Sequence, residues 1–422
     1  MPEEFNYRPR VADALVRAAL SRTGAVQVVG PKWCGKTTTA EQLSAQAVYF
    51  QDPDNRDSYR RVAAEQPSLL LRGERPLLLD EWQDAPQMWD AVRFAVDREK
   101  LPGQFILTGS SVPSDDVKAH SGTGRIARVV MRPMTLFESG DSTADVSLAA
   151  ILDGDDIYGT SPTDLPSIAK LIARGGWPAA VTHPDDQGLA RARDYIESVI
   201  DSDVSRVDGV EKNPRRVRLL LRSLARNEST TATMTTLKAD MVTDESLLST
   251  NTIASYLTAL SRLYVIEDQP AWPLAVRSKT AIRTSSARRF CDPSLPAALL
   301  DLTPDKALVD FNTFGLLFES LCIRDLRVYA ESVGASVYRY TDARDLEADA
   351  IIEFPDGRWG AVEVKLQSSQ EDAAAGTLLA VKSLVRSRHG GTSSFQLIVT
   401  SGGIARRRPD GVYVAPITCL RP

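Results

Sequence analysis

The sequence predicts an α/β protein with a parallel sheet at its N-terminal end, a helical middle and a second, mixed α/β core at its C-terminal end. Three stretches carry that expectation. The β-branched run "GAVQVVG" (24–30) breaks into a glycine-rich turn and then into "KTTTAEQLSAQA" (36–47), which reads as a helix because it has good helix formers and no Pro or Gly. The apolar run "PLLL" (76–79) ends in adjacent carboxylates, Asp80 and Glu81. Far downstream, "ADAIIEF" (348–354) and "RWGAVEVKL" (358–366) are β-rich segments joined by the turn sequence "PDG".

A chain of 422 residues is too long for one domain of ordinary size. Its 43% hydrophobic and 25% charged residues fit a soluble globular protein. The net charge of −5 offers no global attraction for nucleic acid, so any such site has to be a local patch. Four cysteines and three histidines are scattered without CxxC or HxxxH spacing, which argues against structural zinc and against a disulfide framework. The start, "MPEEFNYRPR", lacks the apolar core of a signal peptide, and no run approaches the ~18 apolar residues of a membrane span. The expected setting is the reducing cytoplasm, with no membrane partner.

Between the first strand and its helix lies G-x-x-x-x-G-K-T, "GPKWCGKT" (30–37), in the strand–loop–helix context that a P-loop requires. Gly30 and Gly35 let the backbone curl so that, past Pro31, which has no N–H to give, the N–H groups of Lys32-Trp33-Cys34 and beyond, through Thr37 and Thr38, surround a phosphate. The following helix turns its positive end to the same anion. Lys36 would sit against the β- and γ-phosphates of ATP, and the Thr37 hydroxyl would ligate Mg²⁺. Cys34 inside the loop is either an oxidation-sensitive thiol or a buried inert one.

The strand ending in Asp80 has the Walker B pattern, with Asp80 in the Mg²⁺ shell. Strand alternation would turn Glu81 to the other face, where it can polarise a water for attack on the γ-phosphate. A third apolar strand, "GQFILTGSS" (103–111), ends in Ser110 and Ser111, either of which can bond that water or the phosphate. In "GTGRIARVV" (122–130), Arg125 or Arg128 could neutralise γ-phosphate charge, in its own chain or in a second copy, or could be a solvated surface arginine.

In order, "GPKWCGKT", "LLLDE", "ILTGSS", "GTGR" and "RPMTLFE" resemble bacterial and archaeal AAA-type P-loop ATPases of the additional-strand, catalytic-glutamate class. The later "GGWPAAV" (175–181), "YLTALSRLYVIEDQPAW" (256–272) and "EADAIIEFPDGRWGAVEVKL" (347–366) are similar to one branch of them, whose C-terminal domain of unknown function resembles restriction endonucleases. The resemblance covers nearly the whole chain. It departs early in the P-loop, where such proteins often carry arginine and glutamine; Lys32 keeps a positive charge there, followed by Trp33 and Cys34.

The middle of the chain is rich in Gly, Ser, Thr and Asp between Phe137 and Pro166, which reads as a connection, followed by helical patterns suited to a small lid. "NPRRVRLLLRSLARNES" (213–229), "TTATMTTLKADM" (230–241) and "STNTIASYLTALSRLYVIEDQPAW" (249–272) read as helix, short helix and long helix running into a strand, the order of a winged helix-turn-helix. Ser249 or Thr250 suits the cap of the long helix, and Ile253, Tyr256, Leu257, Leu260 and Leu263 share one face. Seven basic and two acidic residues lie between Arg206 and Arg226, and five basic and no acidic ones between Arg277 and Arg289. These runs either grip the phosphates of double-stranded DNA or are solvated faces of a packing module.

In the C-terminal third, the hairpin brings Asp349 near Glu363 and Lys365, which alternation puts on one strand face, and the helix "TFGLLFESLCIRDLRVYAES" (313–332) adds Glu319. Carboxylates and a lysine converging in this way suit a Mg²⁺- or Mn²⁺-dependent phosphodiesterase. The same pattern also arises from cross-strand Glu–Lys pairs on an ordinary hairpin. The expected domains are therefore an AAA-type core (1–138), a helical lid or connection (139–205), a winged helix (206–275) and a restriction-endonuclease-like domain (276–422). Two functions remain open: an ATP-dependent enzyme acting on DNA, or a nucleotide-driven switch whose C-terminal modules hold a protein partner and cut nothing. A homo-oligomer is expected if an arginine acts in trans.

Overall fold

In the computed structural model, five short apolar runs lie side by side as a wholly parallel sheet: β1 (Ala25–Val29), β2 (Gln46–Tyr49), β3 (Leu77–Asp80), β4 (Phe105–Gly109) and β5 (Ile126–Val130), in the order β2-β3-β4-β1-β5. The structure describes residues 7–110, 123–183, 187–241, 249–273, 286–342, 346–389 and 393–422. The chain divides into two units. The first gathers the residues up to Pro133 with Ser202–Lys212 and Leu257–Val265; the second comprises Met134–Asp201, Asn213–Tyr256 and Ile266–Pro422.

A parallel sheet is covered on both faces, and the alternation along β3 follows from that. Leu77 and Leu79, with Phe105 and Leu107, pack against Trp82, Met88, Trp89 and Val92. Leu78 and Ile106, with Val26 and Val28, pack against Val16 and Leu20 of the helix Val11–Leu20. Because all five strands run the same way, the segments that leave β1, β3 and β4 emerge at one edge. That is where open α/β sheets bind ligands.

The helix after β1 is shorter than its composition suggests. It spans Lys36–Glu41, and the end of the expected helix becomes β2, paired in parallel from Gln46 opposite Leu77 to Tyr49 opposite Asp80. Strand pairing along β3 overrides the favourable helix propensity of Gln42–Ala47.

The second unit is built on a larger mixed sheet. Its strands are β6 (Val146–Ser147), β7 (Gly159–Ser161), β8 (Ile266–Gln269), β9 (Ala287–Phe290), β10 (Ser336–Thr341), β11 (Glu347–Glu353), β12 (Trp359–Lys365), β13 (Ser393–Thr400), β14 (Gly403–Arg407), β15 (Tyr413–Pro416) and β16 (Leu420–Arg421). Seven of them order as β10-β11-β12-β13-β15-β14-β7. A long helix, Phe311–Ser332, leads into the antiparallel meander β10-β11-β12; a second helix, Glu371–His389, leads into β13, which lies parallel to β12. Trp272, Ile351, Trp359, Leu378, Val381 and Ile398 fill the core between that second helix and the sheet.

The stretch from Phe137 to Pro166, expected as a loop-rich connection, is partly strand: β6 pairs with β16, and β7 closes the edge of the large sheet against β14. Two- and three-residue strands of Val, Gly, Ser and Thr carry too little alternation to be read in advance. Downstream, helices Pro214–Arg226, Met234–Asp240 and Thr250–Arg262 precede β8, which pairs antiparallel with β9. Ser249 rather than Thr250 caps the third helix, accepting the Thr252 N–H at 3.1 Å. Ile253, Tyr256, Leu257, Leu260 and Leu263 are all buried. Among the described residues no helix is long and apolar enough to cross a membrane. All four cysteines are buried free thiols.

One ion cluster ties four distant segments of the second unit together. The buried Arg324 donates to Asp292 and to Asp325, each at 2.7 Å. Asp325 also accepts the Leu136 N–H at 2.8 Å, and Asp292 accepts the Gly176 N–H at 2.9 Å and the Ser294 hydroxyl at 2.6 Å. Every acceptor is used, so these charges tolerate a dry interior. Arg324→Ala strands two buried carboxylates, and we expect a loss of about 3–5 kcal/mol. Urea unfolding of the variant beside the parent checks this; an unchanged midpoint would contradict a structural role for the cluster.

Candidate nucleotide site

The loop Gly30–Lys36 is wound tightly at the carboxyl edge of the first sheet. Gly30 has φ 152°, and a β-carbon there would stand 2.0 Å from the Met131 carbonyl oxygen. Gly35 has φ 99° and immediately precedes the helix Lys36–Glu41. Both positions exclude side chains on steric grounds. Trp33 takes a left-handed φ of 63° and is 59% exposed at the loop tip. The buried Arg10 braces the loop from outside, its guanidinium donating to the carbonyls of Cys34 and Arg132, each at 2.8 Å. Cys34 is fully buried with its sulfur 3.5 Å from the Met131 carbonyl, which fits the inert reading of that thiol.

Lys36 is buried and its ammonium donates to the Pro31 carbonyl at 2.7 Å, lying across the loop it belongs to. The Thr37 hydroxyl donates to Asp80 Oδ1 at 2.7 Å. Thr38 follows in the same first turn, half-buried. The Thr108 hydroxyl donates to the same Asp80 oxygen at 2.6 Å and accepts the Glu81 N–H at 3.3 Å. One hydroxyl on β4 thus sets both acidic residues leaving β3. An Asp carboxylate and a Thr hydroxyl held together are hard oxygen donors, a set that fits Mg²⁺.

Glu81 is not placed by strand alternation. β3 ends at Asp80, and Glu81 turns into the left-handed region at φ 53°. Its carboxylate accepts from Gln83 and, at 3.3 Å, from the Ser110 hydroxyl. Burial pushes its pKa up; Lys36, Gln83 and Ser110 pull it back, while Asp80 adds to the rise. Ser110 therefore touches the site, and Ser111 lies outside the described residues.

Arg125 is not brought to this edge. Its carbonyl accepts the Ala25 N–H at 3.2 Å, at the start of β1, and its side chain pairs with Asp97 at 2.7 Å. The loop follows β1 at the other end, roughly 13 Å away along four strand residues. Arg128 lies within β5 and bonds the Tyr264 hydroxyl, with its guanidinium 5.6 Å from that ring. Sequence reasoning missed Thr108, Gln83, Arg10 and a pairing of Lys32 with Asp203 at 2.5 Å. Only Thr108 had a signal, as the polar residue in the apolar strand "FILTG".

In the second unit the hairpin groups do converge. Lys365 Nζ lies 2.6 Å from Glu363 and 3.9 Å from Asp349, and Asp349 accepts the Val364 N–H at 2.7 Å. Glu319 is drawn instead to Arg289, at 2.5 Å, a residue buried to 3% exposure. Arg289 also donates to Gln269 at 2.8 Å, and Gln269 donates to the Asp349 carbonyl at 2.8 Å. Burial and then the charge of Asp349 push Glu363 upward in pKa, against Lys365. Among the described residues no three His, Cys, Asp or Glu side chains are arranged to hold a metal ion. Lys365 thus pairs with both members of the expected metal pair Asp349–Glu363, and Glu319 pairs with Arg289.

That arrangement also engages two residues of the second basic run. Arg289 is an interior partner of Glu319, and Arg288 donates to the Ala232 carbonyl at 3.0 Å. Arg277, Lys279 and Arg283 lie outside the described residues. The first run is different: Arg215, Arg218, Arg222 and Arg226 are exposed at helical spacing along Pro214–Arg226, though Arg218 is held by Glu197 at 2.6 Å and Arg226 pairs with Asp240 at 3.5 Å.

Residues 22–139 match the family described as "AAA domain". Residues 165–306 and 314–420 match two further families, each described as a domain of unknown function (DUF8612 and DUF4143). The uncharacterized proteins Rv2008c of Mycobacterium tuberculosis and Mb2031c of Mycobacterium bovis are each 26% identical over 365 residues, 85% of this chain and 74% of theirs. The Walker-type ATPase PABY2304 of Pyrococcus abyssi aligns with a TM-score of 0.44 and 14% identity, over 70% of this chain and 96% of its own. In sequence, residues 22–139 are thus similar to an AAA domain.

Thr108→Val tests how far Asp80 depends on its neighbour strand. Losing one hydrogen bond to a charged group costs about 1.5–3 kcal/mol. We expect Mg²⁺-dependent nucleotide affinity to fall by roughly tenfold or more, with affinity in EDTA little changed. Titration calorimetry in both buffers distinguishes this from general damage to the loop.

Proposed function

We propose that the first unit binds ATP with Mg²⁺ and hydrolyses it. The convergence of Lys36, Thr37, Asp80 and Glu81 at the carboxyl edge of one parallel sheet carries this reading. N–H groups of the loop from Pro31's neighbours to Thr38 would surround the phosphates. Lys36 would exchange the Pro31 carbonyl for phosphate oxygens. Thr37 and Asp80 would hold the metal ion, whose chemistry is to neutralise charge on the transferring phosphoryl group. Glu81 is the group that takes the proton of the attacking water, with Gln83 and Ser110 orienting its carboxylate. Arg125 stands outside this set; it could act only on a second copy's cradle, and mixing Arg125→Ala with Lys36→Ala chains would then restore turnover.

The roles of these residues separate on substitution. Lys36→Ala should lose nucleotide binding, whereas Glu81→Gln should keep it and lose turnover by about two to four orders of magnitude. The acid limb of the turnover profile should lie above the ordinary glutamate range, because burial raises Glu81 and the base form appears only above its folded pKa. Removing a hydrogen bond that favours the carboxylate, as in Ser110→Ala, should move that limb higher still. Equal loss of affinity in Lys36→Ala and Glu81→Gln would rule out Glu81 as the base.

The second unit, in this reading, binds nucleic acid without cutting it. The helix–meander–helix–strand order, with Asp349 on the second strand and Glu363-Val364-Lys365 on the third, resembles a restriction-endonuclease core, and the three helices ahead of β8 and β9 resemble a winged helix. The acidic groups of that core are, however, already engaged by Lys365, Arg289 and the Val364 N–H. The exposed arginine face of Pro214–Arg226 fits a phosphate backbone. ATP hydrolysis measured with and without double-stranded DNA tests the coupling. DNA affinity should fall steeply with salt, and reversing Arg215 and Arg222 to Glu should reduce the log–log slope by about two. Plasmid nicking with Mn²⁺ would contradict the non-cutting role. Salt-independent behaviour, or no binding, would leave a protein partner as the occupant.

A further inference from the structure

The cradle holds two lysines with different attachments. Lys36 is buried and fixed to a carbonyl of its own loop. Lys32 is 37% exposed at the third position of the loop, and its ammonium meets Asp203 at 2.5 Å, a residue 171 positions away and 4% exposed. Asp203 closes the π-helical turn Val199–Asp203, an irregularity that recurs at functional sites. The same Asp203 oxygen also receives the Ser202 hydroxyl at 3.2 Å. A buried carboxylate has thus been carried to the rim of the phosphate loop to hold one long, flexible cation there.

We propose that Lys32 and Asp203 form a triphosphate-sensing pair: Lys32 is the cation that meets the terminal phosphate of a bound nucleoside triphosphate, and Asp203 is the positioning residue that holds it until then. The proposal rests on the reading of the cradle as a nucleotide site. Its physical content is a competition for one ammonium. A terminal phosphate carries more negative charge than a single carboxylate and offers several acceptor oxygens, so within the reach of a lysine stem it outcompetes Asp203. A diphosphate ends one phosphate short and leaves Lys32 with Asp203. The loop would then distinguish the two nucleotides through Lys32, while Lys36 binds both.

The test is the ratio of affinities for a non-hydrolysable triphosphate analogue and for ADP, measured by calorimetry on the full chain with Mg²⁺ at fixed ionic strength. Lys32→Gln should weaken the triphosphate analogue by about ten- to a hundredfold and leave ADP nearly unchanged, because one charge-assisted contact is lost from the triphosphate complex alone. Lys32→Arg should keep most of the preference. Asp203→Asn frees the ammonium and should tighten the triphosphate analogue several-fold without moving ADP. The double variant should match Lys32→Gln, since Asp203 acts only through the lysine. Asp203→Glu retains the acid and the pair and should retain the parent ratio; it is the shifted ratio of Asp203→Asn, with ADP affinity unmoved, that separates positioning of Lys32 from a merely structural need for an acid. Equal losses for both nucleotides in Lys32→Gln, or an unmoved ratio in a folded Asp203→Asn, would overturn the pair while leaving the cradle intact. Failure of the parent chain to bind either nucleotide would overturn the cradle and the pair together.

Discussion

The parallel register of β1, β3 and β4 is the constraint on which the candidate site depends. Val29 lies opposite Gly109, and Leu79 opposite Leu107, so all three strands stop within a residue or two of one another. Nothing else in the first unit could bring the loop after β1, the acids after β3 and the hydroxyls of β4 together. The core enforces the register, because a slip by one residue would exchange Leu78 for Leu77 and Leu79 between two dissimilar faces.

Within that frame, polar contacts do the fine placement. Asp80 accepts two hydroxyls on one oxygen, from Thr37 on the loop side and Thr108 on the sheet side. Its position is therefore set by both elements before any ligand enters. Glu81 follows from the same bond, since Thr108 also takes its N–H. The abrupt left-handed turn at Glu81 then aims its carboxylate toward Ser110 and Gln83 instead of across the strand. Rigid groups held in this way are what a site needs if it is to stabilise developing charge without reorganising.

The second unit applies similar physics to a different end. Its interior charges are matched at short range: Arg324 with Asp292 and Asp325, Arg289 with Glu319, Lys365 with Glu363. Buried charges survive only when paired and hydrogen-bonded, and here the pairing uses the very carboxylates that a nuclease would offer to a metal.

Residue types and spacing by themselves determined the glycine-rich loop, the acid pair after the apolar run Pro76–Leu79 and the hairpin carrying Asp349, Glu363 and Lys365. Those signals are local, because glycine pairs, alternation and turn residues act over fewer than a dozen positions. Tertiary structure alone decided the rest. It cut the helix after the loop to six residues, because pairing with β3 claims Gln46–Tyr49. It put Arg125 at the far end of the sheet, since strand direction is a property of the whole fold. It turned Arg289 inward, although the sequence around it looks like a basic surface run. It also brought Asp203 to Lys32 across 171 residues, a contact that no local pattern encodes because only the path of the folded chain closes that loop.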